Sequence, residues 1–164
     1  MRTGALLTAS VFALVLAATA AAVTITKHAT TKSYSLTLDV GPSETMYSQA
    51  QVKSMHPTSG EVMVGSGTMT SSMSMKGANV RHLEVHVFSR TTGKVVTNVR
   101  PSISVVDKAD MAMTTKLDVV AMEGIGEGAA DLHYGNNVAL TSGHTYDVTV
   151  VVDGQKAGFQ FKAD

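Results

Sequence analysis

The sequence predicts an all-β protein, an antiparallel β-sandwich of about seven to eight strands. Three observations carry this. Short runs alternate apolar and polar residues, turn signals recur every eight to twelve residues, and nothing in residues 34–164 sustains a helical period. Residues 34–40 (YSLTLDV) alternate cleanly and end at Gly41-Pro42-Ser43. Residues 46–55 are ambiguous, with Ser43 a candidate cap for a short helix, and His56-Pro57-Thr58-Ser59-Gly60 is a turn. A short strand is expected at 61–64, then a Gly/Ser/Thr/Met loop over 65–77. Further strands are expected at 81–89, 94–98, 102–107, 116–122, 136–140, 145–153 and 155–162. Thr91-Thr92-Gly93 and Asp153-Gly154 supply hairpin turns, and residues 124–130 (GIGEGAA) a flexible loop.

The 164 residues divide into three parts. Residues 1–22 have the form of a secretory signal: Arg2, an uncharged apolar run over 5–18, then small residues suited to cleavage. The alternative is an uncleaved N-terminal anchor, since about 20 apolar residues just span a bilayer. Either way the rest is expected outside the cytoplasm, periplasmic or extracellular. Residues 23–33 read as a polar linker, and 34–164 as one domain. There is no cysteine, which excludes disulfides and thiolate metal sites. Net charge is zero, which argues against nucleic-acid partners. Ten methionines, the initiator included, and six histidines are the compositional peculiarity.

The chemistry concentrates on Arg81-His82-Leu83-Glu84-Val85-His86-Val87-Phe88. Side chains alternate across a strand, so Leu83, Val85 and Val87 face the core while His82, Glu84 and His86 share the other face, roughly 6.5–7 Å apart. Two readings follow: the polar outside of an amphipathic strand, or ligands converging on one ion, for which imidazole suits copper, zinc, iron or nickel. His133 lies at a loop-to-strand corner and is either a turn residue or a further ligand. Met122 reads as a core methionine. Met69, Met73 and Met75 sit among Ser, Thr and Gly rather than aliphatics, and thioether sulfur selects Cu(I). The other reading of these three is a loop packed loosely on the sandwich. Met111 and Met113 repeat the pattern weakly, and His56 can join it; His28 and His144 read as bystanders.

Two motifs together resemble the bacterial periplasmic iron-transport family, the FetP-like copper-binding proteins. The strand Arg81-His82-Leu83-Glu84-Val85-His86-Val87 is similar to that family's "HLEADIH" run. Asp131-Leu132-His133-Tyr134-Gly135-Asn136-Asn137-Val138, followed by Tyr146-Asp147-Val148-Thr149, is similar to its "G-P-H-Y-G-x-N-V…Y-x-V-T" segment. The likeness covers roughly residues 55–152. It implies an immunoglobulin-like sandwich that dimerises, copper bound by His82, Glu84, Met122 and His133, and a role in iron uptake beside an inner-membrane permease. In the family the methionine lies closer to its histidine, so Met69, Met73 or Met75 are alternatives to Met122. His86 is additional, and the family's C-terminal extension, which supplies a further His, is not expected here.

The functional expectation is an extracytoplasmic copper-binding protein of iron or copper uptake, with copper as Cu(II) or Cu(I) and iron as a second metal. The alternative is a metal-free binding or adhesion module. No Cys nucleophile, Gly-x-Ser-x-Gly, phosphate loop or His-Glu-x-x-His motif occurs, so an enzyme is not expected.

Overall fold

Strict alternation of apolar residues builds the two sheets. Two long strands, Tyr34–Pro42 and Val80–Ser89, pair antiparallel so that Leu36 meets Val87, Leu38 meets Val85 and Val40 meets Leu83. All six side chains are buried. In the computed structural model, residues 24–65 and 69–164 are described. Among them the strands are β1 (Ile25–Thr30), β2 (Tyr34–Pro42), β3 (Met46–Tyr47), β4 (Glu61–Met63), β5 (Val80–Ser89), β6 (Ser102–Asp107), β7 (Thr114–Lys116), β8 (Val120–Gly124), β9 (His133–Ala139), β10 (Thr145–Val152) and β11 (Gln155–Lys162). One helix, α1 (Gln49–Met55), interrupts them.

These strands form a sandwich. One sheet has the order β1-β2-β5-β9-β8-β4-β3, the other β11-β10-β6-β7. Every pairing is antiparallel except β3 with β4. Between the sheets lie Leu36, Leu38, Leu83, Val85 and Tyr134 from the first, and Ile103, Val105, Val148, Val150, Phe159 and Phe161 from the second. Each such side chain contributes about 1.5–3 kcal/mol on burial, so this layer can hold together a chain with no disulfide.

The larger sheet has a second, smaller apolar cluster on its other face: Met46, Met63, Met73, Val120 and Met122. It exists because the chain folds back over that face. Ser48 and Gln51 form a capping box that starts α1, and His56 ends it in the left-handed conformation (φ 49°). The helix cap is thus Ser48 rather than Ser43. The segment read as an open loop over 65–77 carries a 3₁₀ turn at Ser71–Ser74 that buries Met73.

Four further expectations need correction. Within the stretch 23–33, Ile25–Thr30 forms β1, whose register with β2 runs from Ile25 opposite Val40 to Thr30 opposite Ser35, so this part is sheet rather than linker. The expected strand at 94–98 reduces to a single bridge between Val95 and Phe88, because the chain leaves the large sheet there to bury Val99 and enter β6. The expected strand at 116–122 is two strands in different sheets, with the crossing at residues 117–119. The strand expected at 136–140 begins at His133. No helix among the described residues is long and apolar enough to cross a membrane, and the signal or anchor expected over 1–22 lies outside those residues.

Candidate metal centre

The centre is assembled by strand register. In β5 the alternation puts His82, Glu84 and His86 on the face away from the main core. On β9, Gly135 pairs with Glu84 and Asn137 with His82, which sets His133 on the same face, level with His86. On β8, Met122 pairs directly with His133, and on β4, Met63 pairs with Met122 while Glu61 pairs with Gly124. Directly opposed residues share a face with Cβ atoms about 4.5–5.5 Å apart. Four strands therefore deliver side chains to one patch.

The polar groups of that patch converge closely. His82 Nε2 lies 3.2 Å from Glu84 Oε2. His133 Nε2 lies 3.3 Å from the same oxygen and 3.3 Å from Glu61 Oε2. His82, Glu84 and His133 each offer a ligand atom within 4.8 Å of the others. The two imidazoles are almost sealed, at 3% and 1% exposure, and Glu61 is at 9%.

The outer hydrogen bonds fix how each ring is presented. His133 Nδ1 lies 2.8 Å from the Asp131 carbonyl oxygen, an acceptor only, so Nδ1 carries the proton. His82 Nδ1 lies 3.2 Å from Asn137 Oδ1. That amide is oriented by its neighbours: Oδ1 accepts from the Glu44 N–H at 3.1 Å, and Nδ2 donates to the Glu44 carbonyl at 2.9 Å. His82 Nδ1 is therefore also a donor. Each ring then brings its Nε2 within 3.2–3.3 Å of the carboxylates. Despite the short distances the directions required for hydrogen bonds are not met, and His82 Nε2, His133 Nε2 and Glu61 Oε2 have no hydrogen-bond partner. A ligating histidine tied down through its other nitrogen is the usual outer arrangement of a metal site.

Acceptors facing acceptors in a dry site require a cation. Without a metal that cation is a proton. Burial alone would depress the His133 pKa, but the carboxylates of Glu61 and Glu84 outweigh it and raise it to about 9. For Glu84, burial works to raise the pKa, and His82, His86 and His133 together hold it well below the usual carboxylate range. The consequence has a definite sign. A histidine whose pKa rises on folding adds stability that is fully present below its ordinary value near 6.5 and is lost as pH climbs through about 9. The metal-free protein should therefore melt at progressively lower temperature as the pH rises from about 6.5 to 9, and His133→Gln should flatten that slope. An unchanged slope in the variant would remove His133 as its source.

The methionines sort by position. Met122 and Met73 are fully buried in the cluster beside His133, and Met73 Sδ accepts the Thr70 N–H at 3.3 Å. Met69 is 43% exposed and lies outside that cluster, as does Met75. Asn137 ties the covering segment down, donating to the Met73 and Met75 carbonyls at 3.3 and 3.4 Å. His86 is half-buried at the solvent side of Glu84, with Nε2 3.5 Å from Oε1. Glu61 was not anticipated, nor were Met46 and Met63. The signal for Glu61 and Met63 was the alternation Glu61-Val62-Met63, which puts both on one face; no local pattern tells which sheet that short strand joins. His28 and His144 bond instead to Thr37 and Asp107, away from the centre.

No family model matches the sequence, and no curated protein matches it. A DUF4426 family protein from Pseudomonas aeruginosa PAO1 superposes with a TM-score of 0.50 at 9% identity, covering 84% of this chain and 93% of its own. At that identity the likeness shows the shared β-fold and nothing of the chemistry.

Proposed function

We propose that this protein binds copper, with His82, His133, Glu84 and Glu61 as ligands and the Met122 cluster as the wall behind them. The observation that carries the reading is the spacing of bare acceptors. His82 Nε2 and His133 Nε2 stand 3.2 and 3.3 Å from Glu84 Oε2, and Glu61 Oε2 is 3.3 Å from His133. Two ligands each about 2.0–2.1 Å from one ion in a tetrahedral arrangement lie roughly 3.3 Å apart. Little rearrangement is needed to close these groups on a metal.

Two arguments favour copper over its competitors. Copper(II) stands highest among divalent first-row ions for any site of nitrogen and oxygen donors. Thioethers favour Cu(I), and Met122 opposes His133 directly across the β8–β9 pairing. The resemblance to the FetP-like family supports the same metal and supplies the setting: an exported protein serving iron or copper uptake beside an inner-membrane permease, with dimerisation as in that family. A metal-free adhesion module gives no reason to gather two imidazoles and two carboxylates in one buried patch.

The test is a copper titration of the purified protein. The expected result is a tight stoichiometric equivalent of Cu(II) whose electron paramagnetic resonance spectrum shows coupling to imidazole nitrogen. The double variant His82→Ala/His133→Ala should lose both the binding and the coupling. Wild-type protein that takes up no copper at micromolar concentration, or a double variant that binds as well as wild type, would end this reading.

A further inference from the structure

We propose a second metal position on the solvent side of the first, built from Asp39, His86 and the outer oxygen of Glu84, through which a hydrated divalent first-row cation enters the buried centre. The inference rests on the copper reading above and adds a site to it. Glu84 has two oxygens in different surroundings. Oε2 faces His82 and His133 at 3.2 and 3.3 Å, whereas Oε1 faces His86 Nε2 at 3.5 Å. The same imidazole nitrogen lies 3.9 Å from Asp39 Oδ2. Asp39, Glu84 and His86 each present a ligand atom within 4.8 Å of the others.

The register explains this arrangement. Asp39 on β2 pairs with Glu84, and Thr37 with His86, so Asp39 sits diagonally from His86 on the same face. Asp39 is also set in place: its Oδ1 accepts the Thr26 hydroxyl from β1, which leaves Oδ2 turned toward His86. His86 is held flat by stacking on Phe88, with ring centroids 6.2 Å apart and 13° between planes. Asp131 also comes within reach of His86 and His133, but its Oδ2 already accepts the Gly124 N–H at 2.8 Å.

Exposure supplies the direction of travel. The side chains of His86, Asp39 and Glu84 are 15%, 19% and 22% exposed, against 4% and 1% for His82 and His133. An ion arriving with its water shell meets the outer three groups first. Two carboxylates and one imidazole are harder donors than the inner set, so this position holds its ion more weakly and keeps bound water. Glu84 belongs to both positions and can pass the ion inward by exchanging one oxygen for the other. With both filled, the carboxylate bridges two ions about 3.5–4 Å apart.

The experiment titrates the full chain with Cu(II), as wild type and as the Asp39→Asn/His86→Gln variant, and follows calorimetry, stopped-flow loading and electron paramagnetic resonance. Wild type is expected to take a tight equivalent and then a weaker one, the second producing the spectrum of two coupled copper ions. The variant should keep the tight equivalent and its nitrogen coupling, lose the second equivalent and the spin coupling, and load about tenfold more slowly. An unchanged melting temperature in the variant serves as the folding control. Saturation of wild type at the tight equivalent alone, a variant that keeps the coupled pair, or an unchanged loading rate would overturn the outer position while leaving the copper reading standing. Absence of the tight equivalent in wild type overturns the copper reading itself.

Discussion

Glu84→Gln should weaken copper binding by about two to three orders of magnitude, more than the loss of any one histidine. The substitution keeps size and shape, so the effect isolates charge and donor type. Glu84 is the carboxylate that faces His82, His133 and His86 together. An amide in its place removes the negative charge that balances the ion and offers one oxygen instead of two. Removing one partner of a buried charge pair costs about 3–5 kcal/mol, and each 1.4 kcal/mol is about tenfold in affinity. The effect should extend to the metal-free state, because the Glu84 charge is among the causes that raise the His133 pKa. Competition titration against a chelator of known affinity measures the first effect, and the pH dependence of melting the second. Glu123→Gln, on the opposite face of β8 from Met122, is the control and should bind as wild type does. A Glu84→Gln protein with wild-type affinity would place the copper elsewhere.

Much of this site was legible because a strand has a period of two. Once residues 81–89 read as a strand, His82, Glu84 and His86 had to share a face, and the structure puts them there. What one strand cannot disclose is the neighbour that completes the face. His133 looked like a corner residue because the Asn and Gly after it are turn formers, yet it opens β9 and pairs with Met122. Met122 looked remote from His133 because a glycine-rich loop separates them; in an antiparallel pair the loop sets sequence distance and the register sets spatial distance. Glu61 lies on a three-residue strand, too short for alternation to assign to a sheet. From the sequence, the polar face of β5 reads either as the outside of an amphipathic strand or as a set of ligands. It is covered because Met46, Met63, Met73 and Met122 build a second apolar layer there, and that layer uses Met73 from the segment that looked least like structure. At the level of fold the same reasoning found most long strands and missed β1, whose polar ITKHAT sequence becomes a strand only by pairing with β2 at the sheet edge.

Gly135→Ala should be strongly destabilising, because among the described glycines it is the one where an added Cβ would approach backbone most closely. Gly135 pairs with Glu84 in the middle of the large sheet and is fully inside it. A Cβ at that position would lie 2.1 Å from the Leu83 carbonyl oxygen and 2.8 Å from the Glu84 Cα. Both are backbone atoms of β5, so no rotamer change relieves the overlap, and β9 must move away from β5. Overpacking with flexible neighbours costs about 1–3 kcal/mol; with backbone on the far side the expected cost is at the top of that range or beyond, a fall in melting temperature of about 10 °C. The shift also separates the two strands that carry His82, Glu84 and His133, so copper affinity should drop even at temperatures where the variant is folded. Gly158→Ala is the matched control: it lies in β11, and an added Cβ would meet nothing within 4 Å. Its melting temperature should stay level or rise slightly, since alanine loses less chain entropy on folding than glycine. Equal melting temperatures for the two variants would show that β5 and β9 are not held at this spacing, and the geometry derived for the metal centre would fall with it.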